Sequence, residues 1–337
     1  MQSQPSYFRS SFLFCAFAVI AAYFIGGIQG AVTEAFLTVL ETSLSFDNAV
    51  VNAAVLNNWN EVWRRRFLVW GMLIAVFGMR LVFPLLIVGL AGGISPLSAL
   101  EMAINAPDDY GRILALAHHQ IAAFGGAFLM MVFFKFFVDR HKTEHWLHAI
   151  EAPLTRIGKM EAIEAALTLS VVMLVGGLLD GAVRGEFVSA GVWGVVVYIL
   201  AKGLAALLGG EDAGGQHVVR QGIGGFLYLE LLDASFSFDG VVGAFALTNN
   251  LFIITLGLGA GAMFVRSFTL LLVERGTLGT YRYLEHGAFW AIGALAVIML
   301  AGARFHIPEA VTGLLGAALI ALSLGSSILS NRRDAAK

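Results

Sequence analysis

The chain has 337 residues, of which 58% are hydrophobic and only 13% charged, with a mean hydropathy of +0.80; a soluble domain is about a quarter charged. The formal net charge of −2 singles out no partner, and no nucleic acid is expected. The one cysteine, Cys15, excludes an intrachain disulfide and a thiolate metal cluster.

Apolar runs long enough to cross a bilayer, about 20 residues each, recur along the chain. The weak alternating segments of a membrane β-barrel do not occur. The expected fold is an all-α polytopic membrane protein forming one domain over 1–337. About ten transmembrane helices are predicted, over 11–31, 32–57, 67–93, 113–138, 164–182, 187–208, 223–248, 251–273, 286–303 and 309–329. The first run reads as a retained helix rather than a cleaved signal peptide.

Two polar stretches interrupt the series. Ser95 to Arg112 carries Glu101, Asp108 and Asp109. The longer one, a cytoplasmic loop over 139–163, contains "HKTEHWLHAIE", which places His141, His145 and His148 at helical spacing. It reads as an amphipathic helix lying on the membrane surface with Trp146 as anchor. Metal collection by its histidines is the rival reading.

Loop charge tests the count. With ten spans, one side holds Arg9, Arg64, Arg65, Arg66, Arg140, Lys142, Arg156, Lys159, Arg220, Arg275, Arg282, Arg332, Arg333 and Lys337. The other side holds only Arg112, Arg184 and Arg304. Positive charge stays in the cytoplasm, so both termini are expected there, in a bacterial inner membrane.

Within the second and seventh spans stand two related segments, "LETSLSFDNAVVNAAVLNN" from Leu40 and "LDASFSFDGVVGAFALTNN" from Leu232. At an offset of 192 they share Ser43/Ser235, Ser45/Ser237, Phe46/Phe238, Asp47/Asp239, Asn57/Asn249 and Asn58/Asn250, with Glu41 opposite Asp233. An arginine follows in the next span of each copy, Arg80 and Arg266. This is an internal duplication, with halves at about 32–138 and 223–329. Spans five apart cross in opposite directions, so the halves form an inverted repeat, an arrangement that puts transporter sites near the midplane.

A charge at the centre of a membrane helix costs roughly 3 kcal/mol on insertion scales. Glu41, Asp47, Asp233 and Asp239 must therefore face the interior and either take protons or meet cations. By helical geometry Glu41, Ser45, Asn48 and Asn52 form one stripe, with Ser43 and Asp47 on another about 120° away. One ligand touches both stripes only where the helix bends or unwinds. Carboxylate, amide and hydroxyl oxygens are hard donors, suited to Mg2+, Mn2+ or Ca2+.

The predicted metal ligands are thus Glu41, Asp47, Asn48, Asp233 and Asp239, supported by Ser45, Ser237, Arg80 and Arg266. His118, His119 and Glu230 are secondary candidates. A structural reading, in which each acid is locked in a buried pair with an arginine, stands beside it.

Four segments carry a family resemblance: "ETSLSFDNAVVNAAVL" (41–56), "GMRLVFPLLIVG" (78–89), "HHQIAAFGGAFLMMVF" (118–133) and "ELLDASFSFDGVVGAFALT" (230–248). On these the chain resembles the TerC family of bacterial integral membrane proteins, in particular its longer branch labelled as a domain of unknown function. The resemblance implies metal-ion homeostasis, with manganese export the best attested family activity, and a tellurite-resistance association behind the name. It carries the same four acids, with Asn48 beside the first. The second copy has Gly240 in place of Asn48, so the half-sites are unequal. Direct tellurite binding is disfavoured, because an oxyanion would meet four carboxylates.

The expected function is a secondary transporter that exports hard divalent ions, Mn2+ favoured, by exchange with protons. No cofactor is permanently bound, and no enzymatic activity is expected. The expected partners are metal ions and the lipid bilayer, with an oligomer possible. The rivals are an ion-coupled small-solute carrier and a membrane component of a metal or tellurite stress-resistance complex.

Overall fold

In the computed structural model, residues 5–140, 142–208, 222–305 and 307–335 are described. The side chains of Pro5, Ser6, Phe238, Asp239, Val242, Ala246, Glu309, Ala310 and Ala335 lie outside that description. No strand occurs among the described residues. The first half contains α1 (Pro5–Leu44), α2 (Phe46–Leu56), α3 (Glu61–Arg66), two π-helical stretches (Phe67–Gly71 and Ile74–Val82), α4 (Phe83–Gly92), α5 (Pro96–Asn105) and α6 (Pro107–Phe137). There follow α7 (His148–Ile157), α8 (Ile163–Gly176), α9 (Gly181–Leu208) and α10 (Ile223–Leu247). The chain ends with α11 (Leu251–Glu274), α12 (Thr277–Thr280), α13 (Leu284–Gly302) and α14 (Glu309–Ala335).

The first helix is two arms. Gly26 and Gly27 leave helical geometry, and Gly27 has φ 63° and ψ −154°, a conformation open to glycine and strained for other residues. A Cβ on Gly30 would lie 2.5 Å from the carbonyl oxygen of Ala22. A straight helix would hold residues eight apart at about 12 Å, so the chain doubles back here. The sequence reading put this join at 31/32, five residues late. Hydropathy averages over the Gly-Gly pair, which is where the backbone reverses.

Both arms pack on α11. From the first, the Ser11 hydroxyl lies 2.7 Å from the Met263 carbonyl oxygen and 2.8 Å from Ser267 Oγ. From the second, Thr38 donates to the Gly257 carbonyl at 3.1 Å. The segment "GLGAG" at 257–261 permits this approach. A Cβ on Gly257 would lie 2.6 Å from Leu37 Cβ, and one on Gly261 2.5 Å from Glu41 Cβ. Small residues at a helix seam let backbones close in without a hydrophobic drive.

Among the described residues, seven helices are long and apolar enough to cross a membrane, against the ten expected. The differences have physical reasons. The two arms of α1 are joined through the kink at Gly26 and Gly27 and count once, α8 has only 14 residues, and α10 carries Glu230, Asp233 and Asp239 within its 25 residues.

The 139–163 stretch also departs from expectation. Glu151 is fully buried, and its carboxylate accepts from the backbone N–H of Trp146 and Leu147 at 3.1 Å and from Trp290 Nε1 at 3.0 Å. Lys142 Nζ sits over Phe136 and Phe137, 3.6 and 4.1 Å from their centroids. The segment is docked onto α6 and α13, contacts that the expectation of a surface helix anchored by Trp146 did not include. His145 and His148 have ring centroids 5.5 Å apart, while His141 lies outside the described residues.

Candidate cation site

The second arm of α1 and α2 present one polar seam: Glu34, Thr38, Glu41, Ser45, Asn48 and Asn52. Their spacing alternates four and three, which keeps them on one helical face. All but Ser45 are buried, and Glu34 is entirely so. The helix is interrupted within this seam. Ser45, at φ −98° and ψ 18°, separates α1 from α2, so the serine-rich motif does depart from regular helix in its first copy. In the second copy α10 runs unbroken through Gly240.

Glu41 anchors the seam. The Arg80 guanidinium donates to Glu41 Oε1, and Ser45 Oγ donates to the same oxygen at 3.1 Å. Arg80 also donates to the Ala75 carbonyl at 2.6 Å. The pair is almost wholly desolvated, with side-chain exposures of 5% and 2%. Arg80 stands on the second π-helical stretch, and such widened turns recur where a helix serves a functional site. Nothing in the sequence marked this stretch as π-helical.

The second motif meets the first across the seam. Asn52 Nδ2 donates to Asp233 Oδ1 at 2.9 Å, and Asn48 lines the same cavity as Asp233. A Cβ on Gly240 would lie 2.9 Å from Glu41 Oε2. The unequal half-sites therefore have a steric meaning: the side chain absent at Gly240 leaves space for the second oxygen of Glu41.

Glu41, Ser45, Asn48, Asn52, Arg80, Asp233 and Arg266 line one cavity of about 40 Å³, enough for a small ion with a few waters. A second cavity, about 30 Å³, is bounded by Glu41, Ser45, Asp47, Gly240 and Thr312. Asp47 thus opens onto the opposite side of α2, as its separate stripe required, and Glu41 and Ser45 form the wall between. Asp47 Oδ1 accepts the Asn48 backbone N–H at 2.8 Å.

Other predicted residues distribute unevenly. Arg266 lines the first cavity but donates through Nε to the Leu68 carbonyl at 2.6 Å. Ser237 is buried and its Oγ has no hydrogen-bond partner among the described residues. The side chain of Asp239 lies outside the description. His118 and His119 line neither cavity; His119 Nε2 lies 2.9 Å from Glu186 Oε2. Among the described residues, no three His, Cys, Asp or Glu side chains converge as a metal-holding cluster. The donor set here is two carboxylates with amides and a hydroxyl.

Glu230 is one helical turn from Asp233. It is 5% exposed, and neither carboxylate oxygen has a hydrogen-bond partner among the described residues. A Cβ on Gly71, which lines the first cavity, would lie 2.5 Å from its Oε1. A buried carboxyl so placed holds a proton or receives a cation, because ionised isolation is costly. Glu34 went unremarked in the sequence reading. Thr38 Oγ1 lies 3.0 Å from its Oε1, and Oε2 is unpartnered among the described residues. The four-three spacing from 34 to 52 was the signal that marks it.

With this geometry in view, comparison with known families is decisive at one level. The family model described as "Protein of unknown function (DUF475)" matches residues 46–334. The chain belongs to the DUF475 family. That match spans α2 to α14 and includes Asp47, Asn48, Asn52, Arg80, Glu230 and Asp233, while Glu34, Glu41 and Ser45 precede it. No curated protein and no solved structure matches the chain.

Proposed function

We propose that this DUF475 protein is a secondary transporter of hard divalent cations, with Mn2+ favoured, driven by proton exchange. One observation carries the reading: two copies of an acidic motif, 192 residues apart, close on a single buried cavity through Asn52 and Asp233. Oxygen donors of this kind suit Mn2+ better than soft metals. The carboxyls that release an ion are the same groups that take up protons.

The proposed architecture has ten crossings in an inverted repeat. The arms of α1 cross separately, the second continuing into α2, and α8 and α10 each cross. Side-chain pairing supports the two-fold relation. Glu41 abuts Gly240 and Asn48 faces the same cavity as Asp233; at an offset of 192, positions 41 and 48 map onto 233 and 240, so one pairing becomes the other. Both termini are proposed as cytoplasmic, on the charge asymmetry of the loops, in a bacterial inner membrane. The resemblance to the TerC family points to the same activity.

The Glu41–Arg80 pair favours a second reading, an ion-coupled carrier of a small solute in which the acids serve only the proton. Proteoliposome uptake of a panel of divalent ions separates the two. Mn2+ flux that collapses in Asp47→Asn and Asp239→Asn supports metal carriage. Flux of equal size in both variants and wild type removes it.

A further inference from the structure

At the end of the bundle that carries Arg9 and Arg275, the first arm of α1 and the last turns of α11, with the segment after it, line an open groove of about 1410 Å³. Its walls are aromatic. Phe8 packs edge-on to Phe268 with ring centroids 5.1 Å apart, and Phe12 packs edge-on to Phe264 at the same distance. The rim is cationic, because Arg9 and Arg275 both line the groove and both are exposed. Thr277 and Tyr281 add hydroxyls beside them. Tyr7, whose hydroxyl donates to Glu274, and Ser267, which donates to the Tyr7 carbonyl at 2.8 Å, fix the arm against α11, so the groove is bounded by held backbone.

We propose that this groove is a binding site for one anionic phospholipid. Its acyl chains lie along Phe8, Phe12, Phe264 and Phe268, and its phosphate meets Arg9 and Arg275. Charge complementarity selects the occupant. An apolar trough that opens to two arginines matches a molecule with hydrocarbon at one end and negative charge at the other. Juxtamembrane cations attract anionic headgroups in this way. An acidic peptide would satisfy the arginines but leave its backbone polar groups unpaired against hydrocarbon. A second copy of the chain would bring its own Arg9 and Arg275 to the same rim and add like charge.

The test uses the full-length protein, stripped of lipid in detergent and re-exposed to mixed micelles of phosphatidylglycerol and phosphatidylcholine. Retained lipid is counted by native mass spectrometry. Two cations at about 1 kcal/mol each give a preference for phosphatidylglycerol of about 30-fold at 1.36 kcal/mol per tenfold. Arg9→Gln and Arg275→Gln should each lower that preference about fivefold, and the double variant should abolish it. Arg332→Gln/Arg333→Gln, which removes two charges outside the groove, should keep it. Equal retention of the two lipids by wild type would overturn the proposal, as would an unchanged preference in the double variant. A dimer that excludes lipid from the groove would also overturn it.

Discussion

Arg80→Met would leave Glu41 buried at 2% side-chain exposure with its guanidinium partner gone. Only Ser45 Oγ would still donate to its carboxylate among the contacts described. Removing one member of a buried pair costs about 3–5 kcal/mol, because an uncompensated charge remains in low dielectric. Glu41→Gln should cost less, since Arg80 keeps its bond to the Ala75 carbonyl. The double variant Glu41→Gln/Arg80→Met removes both charges and should lose less stability than the sum of the single losses, by a coupling of about 2–3 kcal/mol. Thermal unfolding in lipid nanodiscs, read by intrinsic fluorescence, provides the cycle. Additive losses within about 0.5 kcal/mol would refute the reasoning, and Glu41 would then not depend on Arg80.

Three further outcomes follow from the packing and charge. Gly261→Ala places a methyl 2.5 Å from Glu41 Cβ and Cγ and should destabilise by about 1–3 kcal/mol, the range for overpacking. Gly279→Ala, with nothing within 4 Å of the new Cβ, should leave the melting temperature near wild type. Burial holds the Lys142 ammonium down to about 8 against the opposing pull of Glu151 and Glu285. Between about pH 8 and 10.5 the unfolded chain binds more protons than the native one, so stability should rise with pH in that window, by at most about 3 kcal/mol. Below pH 8 the Lys142 contribution is flat, and Lys142→Met should remove the rise; a melting temperature with the same slope in both proteins would contradict the assignment. Asn52→Leu deletes the donor to Asp233 and should reduce ion uptake at least tenfold while the protein still folds, as checked by proteoliposome flux and gel filtration.

Much of the site was readable from residue types and spacing. Four-three periodicity alone groups Glu41, Ser45, Asn48 and Asn52, and the same rule puts Asp47 on another face, where the second cavity lies. What periodicity does not carry is contact between distant segments. Glu41 against Gly240 and Asn52 against Asp233 are juxtapositions set by how α10 crosses α2, and no local rule encodes that crossing. The 139–163 stretch, expected as a helix on the membrane surface, holds contacts of the same unencoded kind: Glu151 is satisfied by two backbone N–H groups and by Trp290 of α13. Hydropathy also blurred the turn in α1, because Gly26 and Gly27 are apolar on a scale while the backbone uses them for conformation.

In the proposed transporter, one cavity serves one ion. Electron paramagnetic resonance of Mn2+ added to the full-length protein in nanodiscs counts bound ions directly. One bound Mn2+ per chain, lost in Asp233→Asn and kept in Asp180→Asn, which alters an exposed residue just before α9 outside both cavities, is the predicted result. Undiminished Mn2+ binding in a folded Asp233→Asn protein would contradict it.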